Sequence, residues 1–245
     1  MANIIKCRGF VLNTIPFKES SLIASVLTNK SGKVKLLAKG IRRPKSKMCG
    51  AMEPFSFDEI IFYKREFKDI YTLSDAVVID SFPEIRGDPF RVSGAMVLCE
   101  FYDKTLPMEE SNTQVFSEFF RFLSSMRKAD SHTVRALVIS YLIRAFPYSG
   151  VMPHLDDCVQ CHGPVGGGNG KIDFSISAGG TVCRKHHDDS VLLLDRQTVE
   201  ALKSMLQRRH FQLSNSTLAE MEGFVADYIY VHMNNIRLHS LKHFK

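Results

Sequence analysis

Leu22-Ile23-Ala24-Ser25-Val26-Leu27-Thr28-Asn29-Lys30-Ser31-Gly32-Lys33-Val34-Lys35-Leu36-Leu37-Ala38 holds two short aliphatic runs separated by a polar turn signal. Runs of this length, bounded by Asn, Ser and Gly, read as successive β-strands. Outward from them, Ile4 to Leu12, Phe55 to Tyr63 and Ile70 to Ile79 carry the same enrichment in Val, Ile, Phe and Tyr. Five strands in about 80 residues predict a small barrel, with a five-stranded oligonucleotide-binding barrel (OB-fold) fitting the count and an SH3-like barrel as its look-alike.

After Pro83 the period lengthens. Asp88-Pro89 forms a helix start, because the Asp caps free N–H groups and Pro lacks the N–H that would be unsatisfied there. Val92, Ala95, Met96, Cys99 and Tyr102 follow at helical spacing. A second helix is expected to open at Ser111, with Gln114 at capping-box spacing, and a third from about Thr133 to Phe146. Cysteines and glycines interrupt between about 154 and 189, and helices return from Asp195 to about Arg209 and from about Thr217 to Leu241. The expected fold class is α+β: a barrel over 1–80, a helical domain over 81–153 and 190–245, and a zinc-finger insertion over 154–189.

At 245 residues and 44% apolar content the chain can bury a substantial core. No export signal follows Met1, and no apolar run approaches the roughly 20 residues of a membrane span, so a cytoplasmic protein is expected. The formal charge of +6 is unevenly placed: residues 1–80 hold 14 Lys and Arg against 8 Asp and Glu, and the rest is balanced. Between Lys30 and Lys47 no acidic residue interrupts the cations.

That basic run is the first functional signal. On a strand, Lys33, Lys35 and Lys39 share one face at a same-face spacing of about 6.6 Å, similar to that of phosphates along an extended strand. Val34, Leu36 and Ala38 then face the core. Arg42, Arg43, Lys45 and Lys47 continue on what reads as a mobile loop kept locally extended by Pro44. These seven residues are the expected DNA contacts, with Phe10, Phe17, Phe55, Phe57, Phe62, Tyr63 and Tyr71 as aromatics of mainly core character. Arg121, Arg127, Lys128 and Arg135, beside the Phe-rich second helix, offer a weaker signal for an acidic peptide.

The second signal is Cys158-Val-Gln-Cys161 followed by Cys183-Arg-Lys-His186-His187. Two residues between ligands let a tight turn aim both side chains at one ion, and two such knuckles complete a tetrahedral zinc shell. Cys158, Cys161 and Cys183 are three ligands, and His186 keeps the spacing for the fourth, with His187 and His162 as competitors. A shell filled by protein marks a structural ion. Cys7, Cys49 and Cys99 are scattered and read as small core residues.

Catalytic readings find no support. There is no His-x-Glu of a zinc deaminase and no His-Glu-x-x-His. Gly166-Gly-Gly-Asn-Gly170-Lys171 fails the phosphate-loop spacing, with Val165 at the opening glycine and Ile172 in place of Ser or Thr. It reads as a flexible tip between the knuckles, and no catalytic residue is assigned. A zinc-ribbon transcription or adaptor protein is the alternative function.

Three segments together resemble the bacterial RecO family: Lys39-Gly-Ile-Arg-Arg-Pro-Lys-Ser-Lys47 with Glu53-Pro-Phe55, Gly150-Val-Met-Pro-His-Leu-Asp-Asp-Cys158-Val-Gln-Cys161, and Phe174-Ser-Ile-Ser-Ala-Gly-Gly-Thr-Val-Cys183. The resemblance implies an N-terminal OB-fold, a helical domain and a zinc finger of four cysteines, from which this chain departs after Cys183. It also implies a mediator of recombinational repair at the nucleoid. Such a protein binds single- and double-stranded DNA, anneals strands, and works with RecR to help RecA displace single-strand-binding protein.

Overall fold

Apolar alternation through the first third produces five strands: β1 (Asn3–Phe17), β2 (Ser21–Thr28), β3 (Gly32–Ala38), β4 (Phe57–Lys64) and β5 (Ile70–Asp80). The computed structural model describes residues 3–166, 170–209 and 213–244. All pairings are antiparallel except β3 with β5, and the circuit β1-β2-β3-β5-β4 closes as a barrel. β1 makes closure possible by serving two partners: Asn3 to Phe10 pair with β4, and Gly9 to Phe17 pair with β2. A register shift between Val11 and Asn13 bends the strand where its partners overlap.

The interior is built from the inward alternates. Val34, Leu36 and Ala38 of β3 are fully buried with Val11, Ala24, Val26, Ile60 and Phe62. Each such aliphatic or aromatic burial stabilises by roughly 1.5–3 kcal/mol. Gly32 turns the chain between β2 and β3 at φ 63°, and a Cβ there would meet the Glu110 carbonyl oxygen at 2.2 Å, so only glycine fits.

That approach of residues 106–110 to β3 overturns one expectation. Lys33 is 6% exposed, its ammonium donates to the Asp103 carbonyl, and its own carbonyl accepts from the Glu109 N–H at 2.8 Å. Burial pushes its pKa down against the pull of Asp103. Lys33 is therefore a fold residue, not an open phosphate contact.

The segment joining β3 to β4 also departs from the expected mobile loop. It folds into consecutive turns, with Arg43 N–H donating to Gly40, Ser46 to Arg43, Cys49 to Ser46 and Ala51 to Met48. Ile41, Ala51 and Met52 are buried against the barrel core. Phe55 takes φ 53° and donates its N–H to the Val11 carbonyl at 2.7 Å, so β4 begins at Phe57 rather than at Phe55. Cys7 and Cys99 are buried as expected, and Cys7's thiol is pushed up to about 11 by desolvation; Cys49 is exposed on the loop.

Contacts group the chain as residues 1–131 with 242–245, and residues 132–241, so the helices that follow residue 80 cluster with the barrel. The cause is aromatic packing. Helices α1 (Pro83–Arg86), α2 (Pro89–Thr105) and α3 (Thr113–Met126) cover one side of the barrel, and Phe10 meets Phe116 and Phe119 at ring-centroid distances of 5.0 and 5.2 Å. Asp88 caps α2 by accepting from the Phe90 and Arg91 N–H groups. α3 is capped by Asn112, not Ser111, because the Asn112 Oδ1 accepts from both Gln114 and Val115.

The second unit contains α4 (Ser131–Ala145), a three-stranded sheet of order β7-β6-β8 with β6 (Lys171–Ser175), β7 (Gly180–Thr181) and β8 (Val191–Asp195), then α5 (Arg196–Leu206) and α6 (Asn215–His232). The sheet was not expected. Phe174 packs edge-on against Phe224 at 5.1 Å, and Phe224 stacks on Tyr228 at 5.3 Å, joining β6 to α6. The long terminal helix expected from Thr217 to Leu241 is broken: Asn234 and Asn235 adopt φ of 51° and 58°, and α7 (His239–His243) follows separately. No described helix is long and apolar enough to cross a membrane.

Asp58 is fully buried, its Oδ2 accepts from the Met52 N–H at 2.9 Å and the Ser56 hydroxyl at 3.1 Å, and its Oδ1 has no partner. Desolvation raises its pKa from 3.8 to about 6. The folded chain therefore holds a proton that the unfolded chain releases across this window, and stability falls as pH rises through it. Relative to wild type, Asp58→Asn is expected to gain on the order of 2 kcal/mol in urea-unfolding free energy between pH 4 and pH 7. Parallel pH profiles for the two proteins would rule out this ionisation as the cause.

Candidate nucleic-acid interface and metal centre

Six cations remain of the seven singled out in the sequence. Lys35 projects from β3, and Lys39, Arg42, Arg43, Lys45 and Lys47 follow within nine residues on the turns that lead away from it; all six are exposed. Among the described residues none of the six forms an ion pair, whereas Lys6 is held by Glu59 at 2.8 Å and Lys64 by Glu109. The buried side chains of Ile41, Ala51 and Met52 hold this row against its own repulsion. Such a row attracts a polyanion because each phosphate contact releases condensed counterions.

Most of the candidate aromatics are core: Phe10, Phe55, Phe57, Phe62 and Tyr71 are 9% exposed or less, while Phe17 and Tyr63 reach 38% and 37%. Sequence reading passed over Phe67, which is 100% exposed in the turn between β4 and β5. Its signal was an aromatic set alone among Arg65, Glu66, Lys68 and Asp69. The arginines beside α3 are taken by internal pairs. Arg127 binds Asp80 and Glu84 and lies over Phe82, Arg135 forms a two-bond pair with Glu222, and Arg121 binds Glu118 at 2.7 Å.

The cysteine knuckles converge. Cys158 and Cys183 each place Sγ 3.4 Å from the His186 Nδ1, and the Cys161 and Cys183 sulfurs are 3.9 Å apart. A tetrahedral shell with metal–sulfur bonds near 2.3 Å and metal–nitrogen bonds near 2.0 Å has edges of roughly 3.5–3.8 Å. The donor set therefore fits an ion of that size. The competing histidines are occupied elsewhere: His187 Nε2 meets Asp173 at 2.8 Å, and His162 Nδ1 meets Asp157 at 3.1 Å.

Backbone bonds clip the knuckles together. His154 donates to Gly179 at 2.9 Å, Thr181 to His154 at 2.8 Å and Val159 to Thr181 at 2.9 Å. Gly180 permits the approach, since a Cβ there would lie 2.9 Å from the His154 carbonyl oxygen. Desolvation pushes the Cys158 thiol up, but N–H groups of Cys183, Cys161 and Gln160 together with His186 outweigh it and bring the pKa down to about 5. A thiolate at neutral pH is the form that binds metal. Residues 167–169 of the glycine-rich segment lie outside the described residues.

Comparison with known families divides the chain just after the barrel. The model of the recombination protein O N-terminal domain matches residues 1–82, and that of the recombination protein O C-terminal domain matches residues 86–242. The chain belongs to the RecO family. It is 27% identical to the DNA repair protein RecO of Alkaliphilus metalliredigens over 98% of each chain. The DNA repair protein RecO of Exiguobacterium sibiricum is 31% identical over 76% of this chain and 72% of its own, and that of Caldicellulosiruptor saccharolyticus is 30% identical over 81% and 78%.

Titration of the reduced protein with cobalt(II) is expected to give one equivalent bound with thiolate-to-metal absorption. Because even outer-shell losses weaken metal sites by about 10–100-fold, His186→Ala should weaken binding by roughly 100-fold or more. His187→Ala and His162→Ala should leave it unchanged. A loss in either of the latter with retention in His186→Ala would reassign the fourth ligand.

Proposed function

We propose that this RecO-family chain is a non-catalytic DNA repair and recombination mediator whose N-terminal barrel, an OB-fold, holds DNA through Lys35, Lys39, Arg42, Arg43, Lys45 and Lys47. The observation that carries this reading is a row of six exposed cations without ion-pair partners among the described residues, fixed to a rigid barrel by buried anchors. Cations spent on internal carboxylates would have little left for phosphate. These have none to spend it on.

In this reading the interaction is phosphate neutralisation, so both single- and double-stranded DNA bind and no bond is broken. Two strands held on screened phosphates repel each other less while their bases stay free to pair, which is how a binding surface promotes annealing. Family membership supports extending the role to RecR, to DNA coated with single-strand-binding protein and to loading of RecA, in the cytoplasm at the nucleoid. The Cys158, Cys161, Cys183 and His186 group would hold a structural Zn2+, since four protein donors leave no position for substrate.

The test is the salt dependence of binding. Each lost phosphate contact lowers the slope of log affinity against log salt by about 0.7 for a single strand. Replacing all six residues by alanine should therefore flatten the slope by up to about 4 and weaken binding at low salt. An unchanged slope and affinity would overturn the assignment and favour the zinc module as the docking element.

A further inference from the structure

The turn that joins β4 to β5 reads Arg65-Glu66-Phe67-Lys68-Asp69. Phe67 at its tip is 100% exposed, and its φ is 58°. Both facts run against folding. A fully exposed ring buries nothing, and the left-handed region disfavours a bulky residue where glycine or asparagine would sit freely. Among the described residues none covers this phenyl ring.

Its place in the fold indicates what it meets. β5 starts three residues later at Ile70, which pairs with Lys35 of β3. The ladder is parallel, so the turn emerges at the Lys35 end of the proposed phosphate path, and Lys39 to Lys47 lead away from it. Arg65 and Lys68 are offset by Glu66 and Asp69, so the turn adds no net charge to that path. What it adds is a π face. Aromatic faces stack on unpaired bases without regard to sequence, and bases within a duplex are already stacked on their neighbours.

We propose that Phe67 is a base-stacking residue that engages an unpaired nucleobase of a DNA strand held by the basic row. The inference rests on the DNA-binding reading above and deepens it: the cations hold any DNA backbone, while Phe67 adds affinity for single strands alone. The turn has no net charge of its own, so a strand reaching Phe67 is held by the basic row while the ring offers its face to a base.

The experiment uses the full chain with oligothymidylate and with a duplex of equal length. Phe67→Ala should weaken oligothymidylate binding about tenfold, leave duplex binding within about twofold, and keep the salt slope unchanged. That slope separates the two ideas, because alanine in the basic row flattens it and alanine at 67 does not. The chain has no tryptophan, so Phe67→Trp supplies a single reporter whose emission should be quenched by oligothymidylate and not by duplex. Phe67→Gly should melt no lower than wild type.

Unchanged oligothymidylate affinity in Phe67→Ala overturns the proposal and leaves a docking knob for another protein as the use of the ring. Equal loss on single strand and duplex, an unquenched tryptophan, or a lowered melting temperature in Phe67→Gly would each overturn it as well. If wild type binds no oligothymidylate, the DNA-binding reading falls and this inference falls with it.

Discussion

The parallel pairing of β3 with β5, three residue pairs from Lys35–Ile70 to Leu37–Thr72, closes the barrel on which the rest of the first unit depends. Without it β3 would be an edge, with its N–H and C=O groups open to other chains. Closure also decides what each side of β3 does. Its inward alternates complete the core, and Lys35 is left outside with β5 and its preceding turn as neighbour. Lys35 and the start of β5, thirty-five residues apart in sequence, become adjacent through that one ladder.

A row of six cations repels itself and would spread if it were free, so its concentration at one place requires an opposing force. The apolar side chains of Ile41, Ala51 and Met52 supply it by inserting into the barrel from the same segment. Asp58 adds a polar tether through the Met52 N–H. This tether is itself costly, because a carboxylate with one unpartnered oxygen is buried to hold it. Fixing the charges in advance removes part of the ordering cost that a disordered basic tail would meet on binding.

Strand positions and the core face of β3 were legible because alternation is a local signal: Val34, Leu36 and Ala38 are inward wherever β3 pairs. The fate of Lys33 was not, since the residues that cover it, Asp103 to Glu110, lie some seventy positions away and carry no mark in the local pattern. The same distinction governs the metal group. Paired two-residue spacings identify Cys158, Cys161 and Cys183 and favour His186, but leave His162 and His187 as competitors. Asp157 and Asp173, brought close by the fold, separate them. Helix starts misplaced by one residue, such as Ser111 for Asn112, reflect two cap-forming residues in succession.

In the second unit, backbone hydrogen bonds and sheet pairing bring the four donors of the candidate metal group together. Backbone bonds between His154, Val159, Gly179 and Thr181 tie one knuckle to β7, and pairing of β6 with β7 and β8 frames the other. Phe174 anchors that sheet to α6. The sulfur–sulfur and sulfur–nitrogen separations match edge lengths of a tetrahedral shell, so these side chains could serve one metal ion. Small zinc fingers without such a frame are unfolded when the metal is absent. Here the hydrogen-bonded sheet and its aromatic anchor supply contacts that need no metal.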